Sequence, residues 1–303
     1  MILTVTPNPA VDQTIVIDED LESDAVQRST DAQFDSGGNG INVSQFLRAL
    51  DFETVATGII GGFTGYFIQQ DLKTYDVPTD FVDVEEPTRM NTTILPPGKE
   101  YKLNQFGPEV EREAVEELID TLKHHDPSLI NIGGSLPPKM DATDVDRIAA
   151  AGDWDTALDV HGELMPNLEN TYEYCKPNEE ELTKATGIEI ESIDDCAEAA
   201  RQLQEMGYER VLASMGGEGA MLVTPEETLY APALEVDVVD TVGAGDSMFA
   251  GALWAYEQGW DDEKALRAGV ATSAHLVQVK GPSIRELDPE SLMDDVKVWS
   301  MRG

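Results

Sequence analysis

Val238-Val-Asp-Thr-Val-Gly-Ala-Gly-Asp-Ser-Met-Phe-Ala-Gly251 is an apolar, β-like run that breaks at Gly243-Ala-Gly-Asp246 and resumes as a helix-compatible segment. The pattern reads as a strand, a glycine turn and the start of a helix. Two glycines around one alanine let a ligand approach the backbone closely, and the first-turn N–H groups of a helix lack intrahelical partners. Such a turn suits an anion. A carboxylate at its edge, Asp246, is then placed to accept a proton from a hydroxyl that attacks a bound phosphoryl group. The alternative, on these residues alone, is a helix cap, because Asp is a common N-cap residue and Gly-Ala-Gly an ordinary tight turn.

Around this stretch, strands and helices alternate. Helices are expected at Ala244–Gln258 and Asp262–Val277, and Pro289–Val298 reads as a closing helix. Upstream, a helix ends near His125, and strands at Leu129–Ile132, Thr156–Val160, Glu173–Lys176 and Arg210–Ser214 alternate with helices at Ala142–Ala151, Glu179–Thr186 and Ile193–Met206. Met215-Gly-Gly-Glu-Gly-Ala220 then joins a strand at Met221–Thr224. At the other end, Ile2–Thr6 is a buried strand stopped by Pro7-Asn8-Pro9, and Ser36-Gly-Gly-Asn-Gly-Ile-Asn-Val43 opens a helix running to Leu50. Thr54–Ile60 and a helix to Tyr75 complete a further β-α unit. This alternation predicts an α/β fold with a central, mostly parallel sheet flanked by helices. Ligands in such sheets sit beyond the carboxyl ends of the strands, where each of these glycine turns falls.

Two β excursions interrupt the pattern. Thr14–Asp18 and Ser29–Asp35 lie too close together for a crossover helix, and Phe81–Val84, Asn91–Leu95 and Tyr101–Leu103 form the second group. Together, roughly residues 11–35 and 79–106 are expected to make a small β lid within a single domain spanning residues 1–303. Open lid-strand edges could pair two subunits as a homodimer. Arg28, Arg89 and Lys102 fall in these excursions and are candidates for a phosphate clamp, the alternative being surface pairs with the many carboxylates.

Those carboxylates dominate the composition: 59 acidic against 20 basic residues give a net charge of −39 over 303 residues. A surplus of that size argues against nucleic acid or an anionic membrane as a partner. It also strains a compact state in dilute salt, whereas in molar salt the Debye length is only about 3 Å. A salt-rich cytoplasm follows most simply. Cys175 and Cys196 lack disulfide or metal spacing, which fits reduced thiols, no run approaches 18 apolar residues, and neither export nor membrane spanning is expected.

Neither a Walker A loop nor a complete Gly-x-Gly-x-x-Gly fingerprint occurs. Asn178 and Glu181, one helical turn apart, suit a hydrated Mg²⁺, although Glu179-Glu180-Glu181 is also an ordinary acidic first turn. The order of Thr6-Pro-Asn-Pro-Ala-Val-Asp12, Gly37-Gly-Asn-Gly-Ile-Asn42, Gly133-Gly-Ser-Leu-Pro137, Lys176-Pro-Asn-x-x-Glu181, Ser214-Met-Gly-Gly-Glu-Gly-Ala220 and Asp240-Thr-Val-Gly-Ala-Gly-Asp246 resembles the PfkB (ribokinase-like) sugar kinases. The resemblance spans nearly the whole chain. It is closest to the branch acting on phosphorylated ketohexoses, and implies transfer of the γ-phosphoryl group of ATP, with Mg²⁺, to a sugar or sugar phosphate, foremost fructose 1-phosphate.

Residue by residue, the resemblance makes Asp246 the catalytic base and the amides of Gly243, Ala244 and Gly245 an anion hole. Asp12, Gly38 and Asn42 match positions that hold sugar hydroxyls, and Arg89 matches a contact to the phosphate already on the substrate. Arg28 and Lys102 are helpers. Asn178 and Glu181 match the element linked to Mg²⁺ and the nucleotide phosphates, while Ser214, Gly216 and Gly219, with Gly245, match the ATP site. Two positions depart from the family: Pro7 replaces a usual Leu, and Asn39 stands where the related phosphosugar kinases often carry Lys. The second departure leaves an unphosphorylated ketohexose, as well as a 6-phosphorylated one, among the acceptors.

Overall fold

A computed structural model describes residues 1–279 and 285–301. Among these the strands are β1 (Ile2–Thr6), β2 (Ala10–Val16), β3 (Asp31–Gly37), β4 (Thr54–Gly61), β5 (Val82–Val84), β6 (Arg89–Leu95) and β7 (Tyr101–Leu103). They continue with β8 (Leu129–Gly133), β9 (Asp155–Asp159), β10 (Tyr172–Cys175), β11 (Tyr208–Ser214), β12 (Ala220–Val223), β13 (Thr228–Ala231) and β14 (Trp299–Met301). The helices are α1 (Asn39–Ala49), α2 (Gly62–Thr74), α3 (Arg112–His125), α4 (Ala142–Ala149), α5 (Glu179–Thr186), α6 (Ile193–Glu205), α7 (Ala244–Glu257), α8 (Asp262–Leu276) and the single turn α9 (Glu290–Met293).

The large sheet runs β14-β13-β12-β11-β10-β9-β8-β1-β4-β5, parallel from β11 to β5 and antiparallel at the β12–β14 edge. Its interior strand β1, Ile-Leu-Thr-Val-Thr between β8 and β4, is fully buried, as a parallel strand covered on both faces must be. Leu3 and Val5 pack with the apolar faces of α3 to α6, while Ile2 packs on the opposite face with α1, α7 and α8. Thr4 keeps its place in that second layer through a 2.7 Å hydroxyl contact with Ser44 of α1.

Helix ends follow their local chemistry. Asn178 and Glu181 close a capping box at the start of α5, and Gly187, in the left-handed region, ends it. Both cysteines are buried and free. No helix among the described residues is long and apolar enough to cross a membrane.

A second sheet, β3-β2-β6-β7, stands apart from the large one. β2 pairs antiparallel with β3 and parallel with β6, setting Ala10 opposite Arg89 and Asp12 opposite Asn91. Because alternate residues share a face, Asp12, Arg89 and Asn91 lie together, while Val11 and Met90 turn the other way onto α2.

Three expectations from sequence need correction, and two strands were missed. Phe81–Val84 does not join the small sheet, since β5 pairs in parallel with β4 at the edge of the large one. Val238–Asp240 is not a strand: β13 and β14 already occupy that side of the sheet, and Val238 and Val239 are 62% and 61% exposed. Pro289–Val298 is helical only at α9, because Asp294-Asp295 sets two negative charges at a helix C-terminus, the unfavourable end of the dipole. Beyond it, Trp299–Met301 returns as β14, pairing with β13, and neither strand was expected.

β4 contains the tightest backbone approach of the central sheet. Gly58 has φ of 145°, and a Cβ there would lie 2.0 Å from the carbonyl oxygen of Thr6. Gly58→Ala is therefore expected to destabilise the fold by roughly 2–4 kcal/mol through backbone strain and overlap. Thermal unfolding at fixed KCl checks this, and an unchanged Tm would contradict the close approach.

Candidate active site

The turn at the start of α7 is built by Gly243, which adopts φ of 77° and is the N-cap of the helix. The Ala244 N–H donates to the Thr241 carbonyl at 3.2 Å, and the first helical bond runs from Ser247 N–H to Gly243 O at 2.8 Å. Ala244 is thus not one of the open donors, contrary to the expected set. Among the described residues, the Gly243, Gly245 and Asp246 N–H groups carry no protein acceptor. They form the anion-ready end of α7.

Asp246 is half-buried one turn inside that end. Its Oδ2 accepts a 2.7 Å hydrogen bond from the Asn42 Nδ2 of α1, which fixes the carboxyl against the glycine-rich helix start. Burial, then the neighbouring carboxylate of Asp159, pushes its pKa up to about 7, against the pull of Lys176 and the Asn42 amide. A carboxylate with that affinity for protons is suited to general-base work near neutral pH.

Asp159 and Lys176 were not anticipated from sequence. Asp159 ends β9 and is 1% exposed; Lys176 follows β10, and its Nζ lies 2.9 Å from Asp159 Oδ1. Burial opposes the Lys176 charge, but Asp159, Asp246 and Glu181 outweigh it and raise its pKa. Asn39 donates to the other Asp159 oxygen at 3.0 Å. The sequence signals were an acid closing the apolar run Thr156-Ala-Leu158 and the place of Lys176 at the head of the Lys176-Pro-Asn-x-x-Glu181 block, where it had been given no role.

Across the crevice, Asp12 accepts from Asn91 Nδ2 at 2.9 Å. Its pKa is raised by burial and by Asp35, while Asn91 and Arg89 pull it down. A Cβ on Gly37 would lie 2.0 Å from Asp12 Oδ2, so the carboxylate rests on bare backbone. Arg89 is half-buried, and its guanidinium donates to the carbonyls of Asn8 at 2.9 Å and of Pro9 and Gln105 at 3.4 Å. Burial lowers its pKa, with Asp12 opposing. Among the described residues no carboxylate lies within salt-bridge distance of Arg89. Asn8, also unanticipated, carries that carbonyl and donates its own amide to Phe106 O at 2.9 Å.

Arg28 and Lys102 are less engaged. Arg28 is exposed between β2 and β3, and Lys102 is 63% exposed with its Nζ 3.3 Å from Glu100. Gly38, the N-cap of α1, has φ of 130° and accepts from the Asn42 N–H at 2.9 Å.

A cavity of about 460 Å³ opens beside the α7 turn, lined by Ser214, Gly216, Gly219, Ala244 and Gly245 together with Val236, Val238 and Val277. Its size suits a nucleotide-sized ligand, and its wall is mostly apolar. The run expected as a strand therefore has another role: Pro232–Thr241 crosses the mouth of the cavity as an extended loop. Asn178 lies beside Ser214 through a parallel bridge.

The chain matches the family model for pfkB family carbohydrate kinases over residues 5–288. It belongs to the pfkB family of carbohydrate kinases. The kinase is 49% identical over 288 residues to a 1-phosphofructokinase of Haloferax volcanii, covering 95% of this chain and 94% of that one. It is 34% identical to a D-tagatose-1-phosphate kinase of Bacillus licheniformis, with 93% and 94% of the two chains covered. A solved structure of phosphofructokinase-2 from Escherichia coli superposes with a TM-score of 0.89 at 25% identity, covering 97% of this chain and 98% of that one. The fold is ribokinase-like, and the kinase is an ATP-dependent sugar kinase.

Proposed function

We propose that this kinase transfers the γ-phosphoryl group of ATP to the free primary hydroxyl of a ketohexose 1-phosphate, converting fructose 1-phosphate to fructose 1,6-bisphosphate. The observation that carries this reading is Arg89. In a chain of net charge −39, a half-buried guanidinium fixed by three carbonyls and pairing with no described carboxylate is chemically suited to meet an anion. The phosphate of the acceptor meets it, although Asn39 supplies no cation.

The chain works as one kinase unit in which the small sheet closes over the sugar. Asp12 and Asn42 hold sugar hydroxyls, with Gly38 and Asn39 at the same helix start, and Asp246 takes the proton of the attacking hydroxyl. The open N–H groups of Gly243, Gly245 and Asp246 stabilise charge on the transferring group. The nucleotide lies in the cavity along Ser214, Gly216 and Gly219. Arg28 and Lys102 act, if the sheet closes, as outer cations. The exposed edge of that sheet, with Leu103 60% and Tyr101 42% exposed, is where two copies pair.

The residues present fit Mg²⁺. Glu181 is half-buried, and burial, with Asp159 adding to it, raises its pKa against the pull of Lys176. One of its oxygens accepts from Asn178 N–H at 2.9 Å, leaving the other for a cation held chiefly by phosphates and water. Asn178 spends its amide oxygen on the helix cap at 2.8 Å, which leaves its N–H groups for a phosphate. Mg²⁺ supplies charge neutralisation on the ATP phosphates when bound.

A coupled kinase assay in molar KCl tests the acceptor. Fructose 1-phosphate is expected to give the highest kcat/KM in a panel with tagatose 1-phosphate, fructose 6-phosphate, tagatose 6-phosphate and fructose. Tagatose 1-phosphate is the second reading, favoured by the similarity to the Bacillus licheniformis kinase. Activity confined to fructose or to the 6-phosphates would overturn both.

A further inference from the structure

Asp159 and Lys176 form a buried ion pair at the carboxyl ends of adjacent parallel strands, β9 and β10, with no part in the reading above. Their surroundings connect them to both halves of the reaction. One Asp159 oxygen meets Lys176 Nζ, and the other accepts from Asn39 at the start of α1. Asp159 is also close enough to Asp246 that its carboxylate raises the Asp246 pKa. Lys176 Nζ passes under the α7 turn, 3.5 Å from where a Cβ on Gly245 would sit.

We propose that Asp159 and Lys176 are paired positioning residues that hold Asp246 and Asn39 in register and set, with opposite signs, how readily Asp246 binds a proton. The proposal rests on Asp246 being the base. The groups facing Asp246 are few. From β9 comes the Asp159 carboxylate, which favours a proton on Asp246; from the segment after β10 comes the Lys176 ammonium, which disfavours it; and from α1 comes the neutral Asn42 amide, donating to Oδ2. Glu181, at the start of α5, acts on Lys176 and lies one step further away.

The pair explains an arrangement that is otherwise costly. Two carboxylates close together in a half-buried crevice repel, and a single ammonium between them cannot neutralise both. With Lys176 matched to Asp159, the remaining unbalanced carboxylate is Asp246. When it accepts the substrate proton the cluster passes from one net negative charge to none, so the transfer relieves the carboxylate repulsion and creates no new buried charge. The same pair anchors Asn39, so the substrate-side helix start and the base share one foundation.

The experiment is a pH profile of kcat/KM for fructose 1-phosphate at saturating ATP and Mg²⁺ in constant molar KCl. Wild type, Asp159→Asn and Lys176→Met are compared as ratios, so that ionisation of the substrate phosphate cancels. With the Asp246 pKa raised to about 7, base ionisation alone raises the wild-type value about tenfold from pH 6 to pH 8. Asp159→Asn is expected to flatten that rise to less than about threefold, and Lys176→Met to steepen it beyond tenfold. Acid limbs that stay parallel in all three, or that move the same way in both variants, would overturn the proposal. Should one variant fail to fold, the other decides, because each carries its own signed expectation. Asp246→Asn, run alongside, separates the two levels: wild-type turnover there removes the base itself, whereas an inactive Asp246→Asn with unmoved limbs removes only the role of the pair.

Discussion

Asp246→Asn is expected to lower kcat by about 10²-fold or more while leaving nucleotide affinity nearly unchanged. The amide keeps the size of the carboxyl and can still contact Asn42, 2.7 Å away, so the α7 turn has no reason to collapse. What it loses is the ability to take a proton from the attacking hydroxyl. The cavity along Ser214, Gly216 and Gly219, where the nucleotide is proposed to lie, is not lined by this side chain. Steady-state turnover together with equilibrium nucleotide binding measures both halves. Turnover near wild type would assign the proton to another group, and a parallel loss of nucleotide binding would instead point to a structural cap.

Arg89→Ala carries the second large effect. Its guanidinium is already fixed by three backbone carbonyls, so little side-chain freedom remains to be lost on meeting a phosphate. Removing a charge-assisted contact of that kind costs about 1.5–3 kcal/mol, which corresponds to a KM for fructose 1-phosphate raised roughly 10- to 100-fold. The slow reaction with free fructose, which has no phosphate to offer, should hardly change. An unaltered KM for the phosphosugar would place its phosphate elsewhere and revive the unphosphorylated acceptor that Asn39 suggests. Arg89→Lys should recover only part of the loss, because a point charge cannot reproduce the planar fork.

The layered α/β architecture was legible because hydrophobic period and glycine turns changed together at each strand end. Glu179–Thr186 was read with the bounds the structure shows, since Asn178 and Gly187 mark its ends chemically. The failures have a common physical origin. Val238-Val239 has the composition of a strand, yet composition does not reveal whether a sheet edge is free, and β13 and β14 had taken it. Phe81–Val84 was read as a strand, and the structure has one at Val82–Val84, but which sheet it joins is a long-range choice.

At the site, the residues that announced themselves sit in turns whose local geometry demands glycine or a cap. Asp159 and Lys176 did not, because each is a single charged residue at the end of an apolar strand and its partner lies on the neighbouring strand. Asn8 and Asn91 were hidden for the same reason: their value comes from pairing across the small sheet and the loop after β7. The open amides also differed by one residue from expectation, since only coordinates show that Ala244 spends its N–H on Thr241.

The register of β2 against β6 has a further meaning. Arg89 and Asn91 are two positions apart on one strand, and Asn91 holds Asp12 on the next, so the proposed phosphate contact and the proposed hydroxyl contact are spaced by about 6–7 Å of pleated backbone. A hydrogen-bonded ladder barely stretches. With those proposed roles the small sheet would act as a ruler, with one mark for the phosphorylated end of the acceptor and another for its middle, and the remaining carbon chain would then have to span to Asp246. Discrimination by length, between a hexose and a pentose phosphate of the same head group, would reside in strand register and not in any side chain at the point of reaction.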